Sequence, residues 1–506
     1  MANATTPPVL NSLGNGDPPS RIPSNDEKNI TSIDDSAELL NIPGYDAQLI
    51  WDMKEERAAI RKADFTILGF IIFLFVFMQF DRTNLSNALT GTIRKDINIT
   101  TADINTSTTL FTLGFVLTEI PFNIISKRLG PENFLPITMF FWGVCTWAQV
   151  FMHDRRGLWA LRFFIGALEG GYIPGMALYI KGFYTNRELG LRFAAFWSSN
   201  AVAGCIAGPL ALGLLSLDGK HGMKGWKWLF AVEGALTSFL AIIAFFYMPH
   251  SAARPKSFLG HSFNVFTPRQ ASILTMRTLR EDPSKARGYH AAVSAQDIKD
   301  TFLDWRVYGH IITAFLSMLM ITPMNTYAPS IIQSLGFTQY AANGMNSVGS
   351  AVSLILVLSL AFNSDRVRER GFHIAFGFCV GVVGLFWISY VPYNKWLIYT
   401  GIVITQGGQG SAQAINAAWL STVVEDRKRP IALAMYVMAI QIANFPGSQL
   451  IRVQDAPRYA FGFTIAGSCC AAAAVVILVW KYIYNVTSQG SETGTVKEEG
   501  GSFEVV

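Results

Sequence analysis

The chain has 506 residues, 51% of them hydrophobic and 15% charged, with a formal net charge of +5. Soluble globular domains carry about 25% charged residues, so the composition excludes an ordinary soluble enzyme and predicts an all-α polytopic membrane protein. The small positive balance is spread over loops, which excludes nucleic acid as a partner.

Residues 1–62 open with a polar stretch rich in Pro, Asn, Ser and Asp and lack the short apolar core of a signal peptide; they read as a disordered cytosolic tail. Six apolar runs follow in residues 63–248, at 65–90, 104–126, 134–152, 158–181, 192–215 and 228–248. Each is long enough to cross a bilayer as a helix. Residues 249–305 are polar and basic and read as a cytosolic loop. Within them Pro268 to Arg277 predicts a short amphipathic helix, either on the membrane surface or solvated as a linker. Six more runs fill residues 306–484, at 306–332, 340–362, 372–392, 396–422, 430–450 and 459–484, before a second cytosolic tail at 485–506. The expected architecture is therefore twelve transmembrane helices in two six-helix halves.

The halves repeat a feature. Ser126-Lys127-Arg128-Leu129-Gly130-Pro131 follows the second run, and Ser364-Asp365-Arg366-Val367-Arg368-Glu369-Arg370-Gly371 follows the eighth. Parallel halves with a site at their interface are an established transporter plan. Short loops assigned inside carry eleven Lys/Arg against ten outside. Lys54, Arg57, Arg61 and Lys62 and the basic central loop break that near-tie, placing both termini in the cytosol. Asn98-Ile99-Thr100 is then a glycosylation sequon in the first outside loop, with Asn105 too near the membrane for use.

Charge within the runs is concentrated in the first half, at Asp81, Arg82, Glu119, Arg162, Glu169 and Glu233, and the second half has essentially none. A charge at membrane depth costs at least about 2.5–3.5 kcal/mol, so such groups face a bundle interior or a wet cavity. Arg162, Gly166 and Glu169 fall on one helix face, which reads as the lining of a transport pathway. An arginine grips a planar anion through two parallel bonds, and a carboxyl group beside it can load and release a proton. Proton coupling is thus expected at Asp81, Glu169 and Glu119, and substrate binding at Arg82 and Arg162. Plainer readings stand beside these: Asp81-Arg82 as an interfacial anchor, Arg162 and Glu169 as a structural pair, Glu119 as a brace beside Pro121. Glu233, between lipid and water next to Trp226 and Trp228, reads as interfacial.

The second half offers neutral polar groups instead, and substrate contacts are expected from Asn325, Tyr327, Gln406, Gln409, Asn416 and Gln441, with Asn444 nearby. Gly407-Gly408-Gln409-Gly410 reads as a close-packing run. The five cysteines lie in apolar runs without metal or redox spacing, and the seven histidines form no metal pair, so no metal or cofactor is expected. No Gly-Lys-Ser/Thr phosphate loop argues for an ATP pump, and no nucleophile–base pair argues for an enzyme.

Phe80-Asp81-Arg82-Thr83-Asn84-Leu85-Ser86-Asn87-Ala88, the Ser126–Pro131 turn, Arg162 through Gly175, Gly225-Trp226-Lys227-Trp228-Leu229-Phe230 and Ser364-Asp365-Arg366 together resemble the major facilitator superfamily. Within it they resemble the anion:cation symporter family and its fungal allantoate-permease-like branch, over residues 60–485. Ser126-Lys127 stands where the superfamily commonly has Asp-Arg, a departure that this family often shows. The resemblance implies a monomer in the plasma membrane that carries small organic anions with protons by rocker-switch alternating access. It implies that Asp81, Arg82, Arg162 and Glu169 serve coupling and anion binding. Its substrates include allantoate, nicotinate, pantothenate, other vitamins and organosulfur anions. An efflux carrier of the same fold and a non-transporting nutrient sensor are the competing readings.

Overall fold

A computed structural model describes residues 45–494 except 47, 253, 255–264, 282–294, 426 and 457. The outer parts of both expected tails, 1–44 and 495–506, lie outside the described residues. Every regular element among those described is a helix, and twelve of them match the expected runs. Spans one to six are Met53–Ala88, Thr101–Leu129, Pro131–Phe151, Arg155–Lys181, Asn186–Leu215 and Gly225–Tyr247. Spans seven to twelve are Trp305–Ser334, Gln339–Val367, Gly371–Tyr390, Lys395–Val423, Arg429–Ser448 and Ala460–Gly494. Among the described residues, eleven are both long and apolar enough to cross a membrane. Span ten is 29 residues long but is diluted by Gln406, Gln409, Gln413 and Asn416 and by its glycines.

Two expected boundaries shift. The helix of span one starts at Met53, so residues 53–62 are not disordered: Asp52 and Glu55 form a capping box that satisfies the first backbone amides. Span twelve likewise continues past residue 484 to Gly494. A widened π turn at Asp64–Leu68 interrupts span one, and there Asp64 accepts two bonds from Arg192 of span five, at 2.9 and 3.0 Å. The Ser126–Pro131 turn is a tight reversal. Gly130 adopts φ +81°, which favours glycine, and Pro131 opens span three where its missing N–H costs nothing.

Packing repeats between the halves. Spans one and five, two and four, three and six, three and four, and one and six touch in the first half; seven and eleven, eight and ten, nine and twelve, nine and ten, and seven and twelve do so in the second. These are the same pairs with six added to each number. Between halves, span two meets eleven, five meets eight, and one meets seven. Those contacts map onto one another when the halves are exchanged, as a pseudo-two-fold axis requires.

Glycines set the closest approaches. A Cβ at Gly166 would stand 2.0 Å from the Phe111 carbonyl and one at Gly170 2.5 Å from the Phe115 carbonyl, so spans two and four meet backbone to backbone. Gly408 does the same against Gly377 and Gly381, as expected of the glycine run.

The expected amphipathic helix exists at Pro268–Glu281, joined by a second loop helix at Ala295–Phe302. Its apolar residues Ile273 and Leu274 are buried in the core of the first half, so protein covers that face where a membrane surface was one expectation. Arg277 pairs with Glu188 and with Glu56 at 3.4 Å, and Arg269 reaches Glu55 at 2.6 Å, tying this helix to the start of span one.

Candidate functional site

Span one runs through Asp81 and Arg82 in its second half, and consecutive helical residues point about 100° apart. The two side chains therefore part company. Asp81 turns into the first half, 1% exposed, and its Oδ2 accepts bonds from Trp142 of span three and Thr237 of span six, both at 2.9 Å. Arg82 turns toward spans two and four with its side chain 23% exposed and donates from Nε to Glu169 Oε2 at 2.6 Å. The rings of Phe111 and Phe115 flank its guanidinium at 5.8 and 5.5 Å. Its Nη2 has no hydrogen-bond partner.

Span four supplies the other half of the cluster. Glu169 is fully buried, with Oε1 unbonded beyond the contact to Arg82. Arg162, two helical turns earlier, is buried and donates from Nη2 to Asn84 Oδ1 at 3.0 Å. The face shared by Arg162, Gly166 and Glu169 is thus packed against spans one and two, where the sequence suggested an open lining. Arg82 is the group of this cluster that remains partly open.

The structure brings Asp81, Arg82, Arg162 and Glu169 together and leaves Glu119 apart. Glu119 is buried beside Gly170, where span four breaks, and makes no ion pair among the described residues. Glu233 was read as interfacial, yet it is 3% exposed in the same interior, beside Asn84 and near Asp81. The flanking tryptophans misled. Trp226 is itself buried and donates to Asp96 at 2.7 Å. Glu233 lies eight residues into span six, about 12 Å along the axis at about 1.5 Å per residue. Counting from Gly225 reveals that depth.

In the second half the expected contacts scatter. Asn325 is exposed, and Gln406 donates to Asn346 at 2.7 Å. Gln409 is buried with an unbonded Nε2, while Gln441 accepts from Asn444 at 3.4 Å. Asn416 is committed to span seven: Oδ1 meets His310 Nδ1 at 2.6 Å and Nδ2 donates to the His310 carbonyl at 3.2 Å. His310 is fully buried, a titratable group that the sequence reading passed over. The Tyr327 hydroxyl is committed as well, donating to Asn105 of span two.

That last bond belongs to a set joining the halves at one end, where spans one and two meet. Asn105 donates to the Ile451 carbonyl at 3.1 Å, Gln333 to the Thr90 carbonyl at 2.9 Å and Asn343 to Thr90 Oγ1 at 2.8 Å. Ser347 adds a bond to the Gly204 carbonyl at 3.3 Å, and Thr109 lies 3.3 Å from Ser448. The halves are thus sealed at the end opposite the loop helices Pro268–Glu281 and Ala295–Phe302.

Residues 71–448 match the family model of the Major Facilitator Superfamily. The chain belongs to that superfamily. It is a multi-pass membrane transporter moving a small molecule across a bilayer, and not an enzyme. It is 28% identical over 452 residues to an uncharacterised transporter of Saccharomyces cerevisiae, covering 85% of this chain and 81% of the relative. It is 27% identical over 445 residues to a major facilitator-type transporter of Emericella nidulans, covering 86% and 87%. Among solved structures, the transporter's fold superposes on the E. coli xylose transporter in a partially occluded, inward-open conformation. That match has a TM-score of 0.63 at 14% identity, over 83% of this chain and 99% of the other. A bacterial homologue of the human lysosomal transporter Spinster gives 0.59 at 13%, over 87% and 98%.

Proposed function

We propose that this transporter is a proton-coupled symporter that takes up a small organic anion, within the anion:cation symporter family and its allantoate-permease-like branch. The observation that carries the reading is Arg82: a partly open side chain whose buried Nη2 has no hydrogen-bond partner, flanked by aromatic rings and held by a buried glutamate. An incoming carboxylate or sulfonate can take two bonds from such a fork. Glu169, displaced from Arg82, would then be buried without its direct ion-pair partner, with Arg162 shared between it and Asp81, and would take up a proton. Cargo and proton therefore load together. Arg162 holds Asn84 and supports this site from behind; contacts from Gln406, Gln409, Gln441 and Asn325 would have to form as the halves move.

The seal at Thr90, Asn105 and Tyr327 supports a state open toward the loop helices Pro268–Glu281 and Ala295–Phe302. With both termini in the cytosol, that state faces inward. A cysteine at the exposed Thr267, in a background lacking the five native cysteines, should resist an impermeant thiol reagent in intact cells and react after permeabilisation. Efficient labelling of intact cells would reverse the orientation. The same orientation leaves Asn98 exposed outside as the glycosylation site, while the Asn105 amide is taken up by the seal.

The function is tested by uptake of labelled ureides, pyridine carboxylates and sulfonates into cells expressing the chain, with and without a protonophore. Acid-stimulated, protonophore-sensitive uptake of one class is expected. Faster loss of a labelled anion from preloaded cells would make it an exporter, and no flux despite surface expression would favour a sensor.

A further inference from the structure

The two helices of the segment between the halves are built differently. Pro268–Glu281 buries Ile273 and Leu274 against the first half. Ala295–Phe302 displays its apolar residues instead: Ile298 is 42% and Phe302 52% exposed, and Leu303, which follows them, is 71% exposed. Ile298 and Phe302 are four residues apart and share one helix face. A second face is held by the second half, where Arg427 reaches Asp297 at 3.3 Å and Asp300 at 3.5 Å, and Thr301 is wholly buried. The third face, with Gln296 and Lys299, is exposed and polar. The helix is thus fixed to protein by its acids while its large apolar side chains stay outside. A contiguous apolar patch of this kind marks a contact surface, because burying it returns about 25 cal/mol per Å².

The apolar strip continues beyond the loop. It runs through Trp305 into Tyr308 and Ile312, all exposed on the first turns of span seven. The Tyr308 hydroxyl donates to the Phe302 carbonyl at 2.6 Å, which holds the end of the loop helix against that span. Aromatic side chains mark the level. The ring of Trp305 lies 6.1 Å from that of Trp480 and 5.6 Å from that of Tyr484 on span twelve, and Tyr482, in the same turn, is 69% exposed. Trp and Tyr collect at the membrane–water boundary, with the ring among acyl chains and the polar edge among headgroups. The strip therefore joins the loop helix to the lipid-facing side of span seven at the depth of that boundary. Lys299 flanks the apolar face, about 100° round the helix from Ile298, where its long stem can carry the ammonium to lipid phosphates.

We propose that Ala295–Phe302 is an interfacial helix that lays Ile298, Phe302 and the following Leu303 into the leaflet on its side of the bilayer, while Asp297 and Asp300 clamp it to the second half. Its partner is the lipid surface, entered to about 5–10 Å at the headgroup–acyl boundary. The inference is independent of what the protein carries and in which direction. In full-length protein lacking the five native cysteines, a nitroxide is attached to Ile298→Cys, Phe302→Cys or Gln296→Cys, one at a time, in phospholipid nanodiscs. Power saturation then compares collisions with oxygen, which concentrates among acyl chains, and with a water-soluble nickel chelate. The oxygen-to-nickel ratio should be severalfold higher at 298 and 302 than at 296. A ratio at 298 and 302 no higher than at 296 would place that face in water, and poor access of both reagents would show protein covering it; either result overturns the proposal. A second measurement keeps every native residue. Nanodiscs containing lipids with photoreactive acyl chains should leave lipid adducts on residues 296–303 as well as around Ile312. Adducts around Ile312 with none on 296–303 would equally overturn it.

Discussion

Replacing Glu169 by Gln should abolish proton-driven accumulation of the substrate while sparing exchange of internal for external substrate. The glutamine keeps the size of the side chain and an oxygen that can still accept from Arg82 Nε at the position where the native contact is 2.6 Å. What it loses is the ability to gain and shed a proton. Net uptake requires Glu169 to be deprotonated once per cycle so that it can reclaim Arg82, whereas counterflow can shuttle with the site permanently neutral. Full truncation of one partner of a buried ion pair costs about 3–5 kcal/mol. The isosteric change avoids most of that cost, so expression should survive. The measurement is paired: concentrative uptake across an imposed pH gradient, and counterflow into loaded vesicles without one. A variant that still accumulates substrate removes Glu169 from the proton path. One that loses counterflow as well places it in the substrate site or in the fold.

The distribution of these roles was only partly legible in the sequence. Span lengths were legible because a bilayer demands about 20 apolar residues per crossing, and even the diluted span ten kept its length. The helical face carrying Arg162, Gly166 and Glu169 was legible from periodicity. Its direction was not, because what settles it is a backbone contact between Gly166 and Phe111, 55 residues apart in the chain. Tyr327 was picked out as an inward polar residue, and it does face inward. Its partner Asn105 lies in the other half, and pairing across a pseudo-two-fold interface leaves no mark on local sequence. Glu233 shows the opposite error. Two nearby tryptophans have the composition of a membrane interface, while the helix register carries the glutamate well below it. The loop helix was visible in its amphipathic pattern, but whether lipid or protein covers Ile273 and Leu274 depends on where span one begins. That in turn depends on the capping residues Asp52 and Glu55.

The two arginines, treated alike at the level of sequence, should separate in experiment. Arg82→Lys keeps the charge but offers a point-like ammonium where the fork and its unbonded Nη2 stood, and it loses the stacking between Phe111 and Phe115. Loss of one hydrogen bond to a charged group costs about 1.5–3 kcal/mol, so the apparent affinity for the anion should fall about tenfold or more. Arg162→Lys acts on a side chain that is 5% exposed and bonded to Asn84 Oδ1. A lysine reaching that oxygen keeps one donor and the positive charge that balances Asp81 and Glu169. Its effect should appear first as lower thermal stability of the purified protein and slower turnover, with a smaller change in apparent affinity. Concentration-dependent initial uptake rates for both variants, normalised to surface expression, give the comparison. An unchanged affinity in Arg82→Lys with a large loss in Arg162→Lys would transfer the anion site to Arg162. It would also mean that the first half opens, during the cycle, along the face that Gly166 now holds against span two.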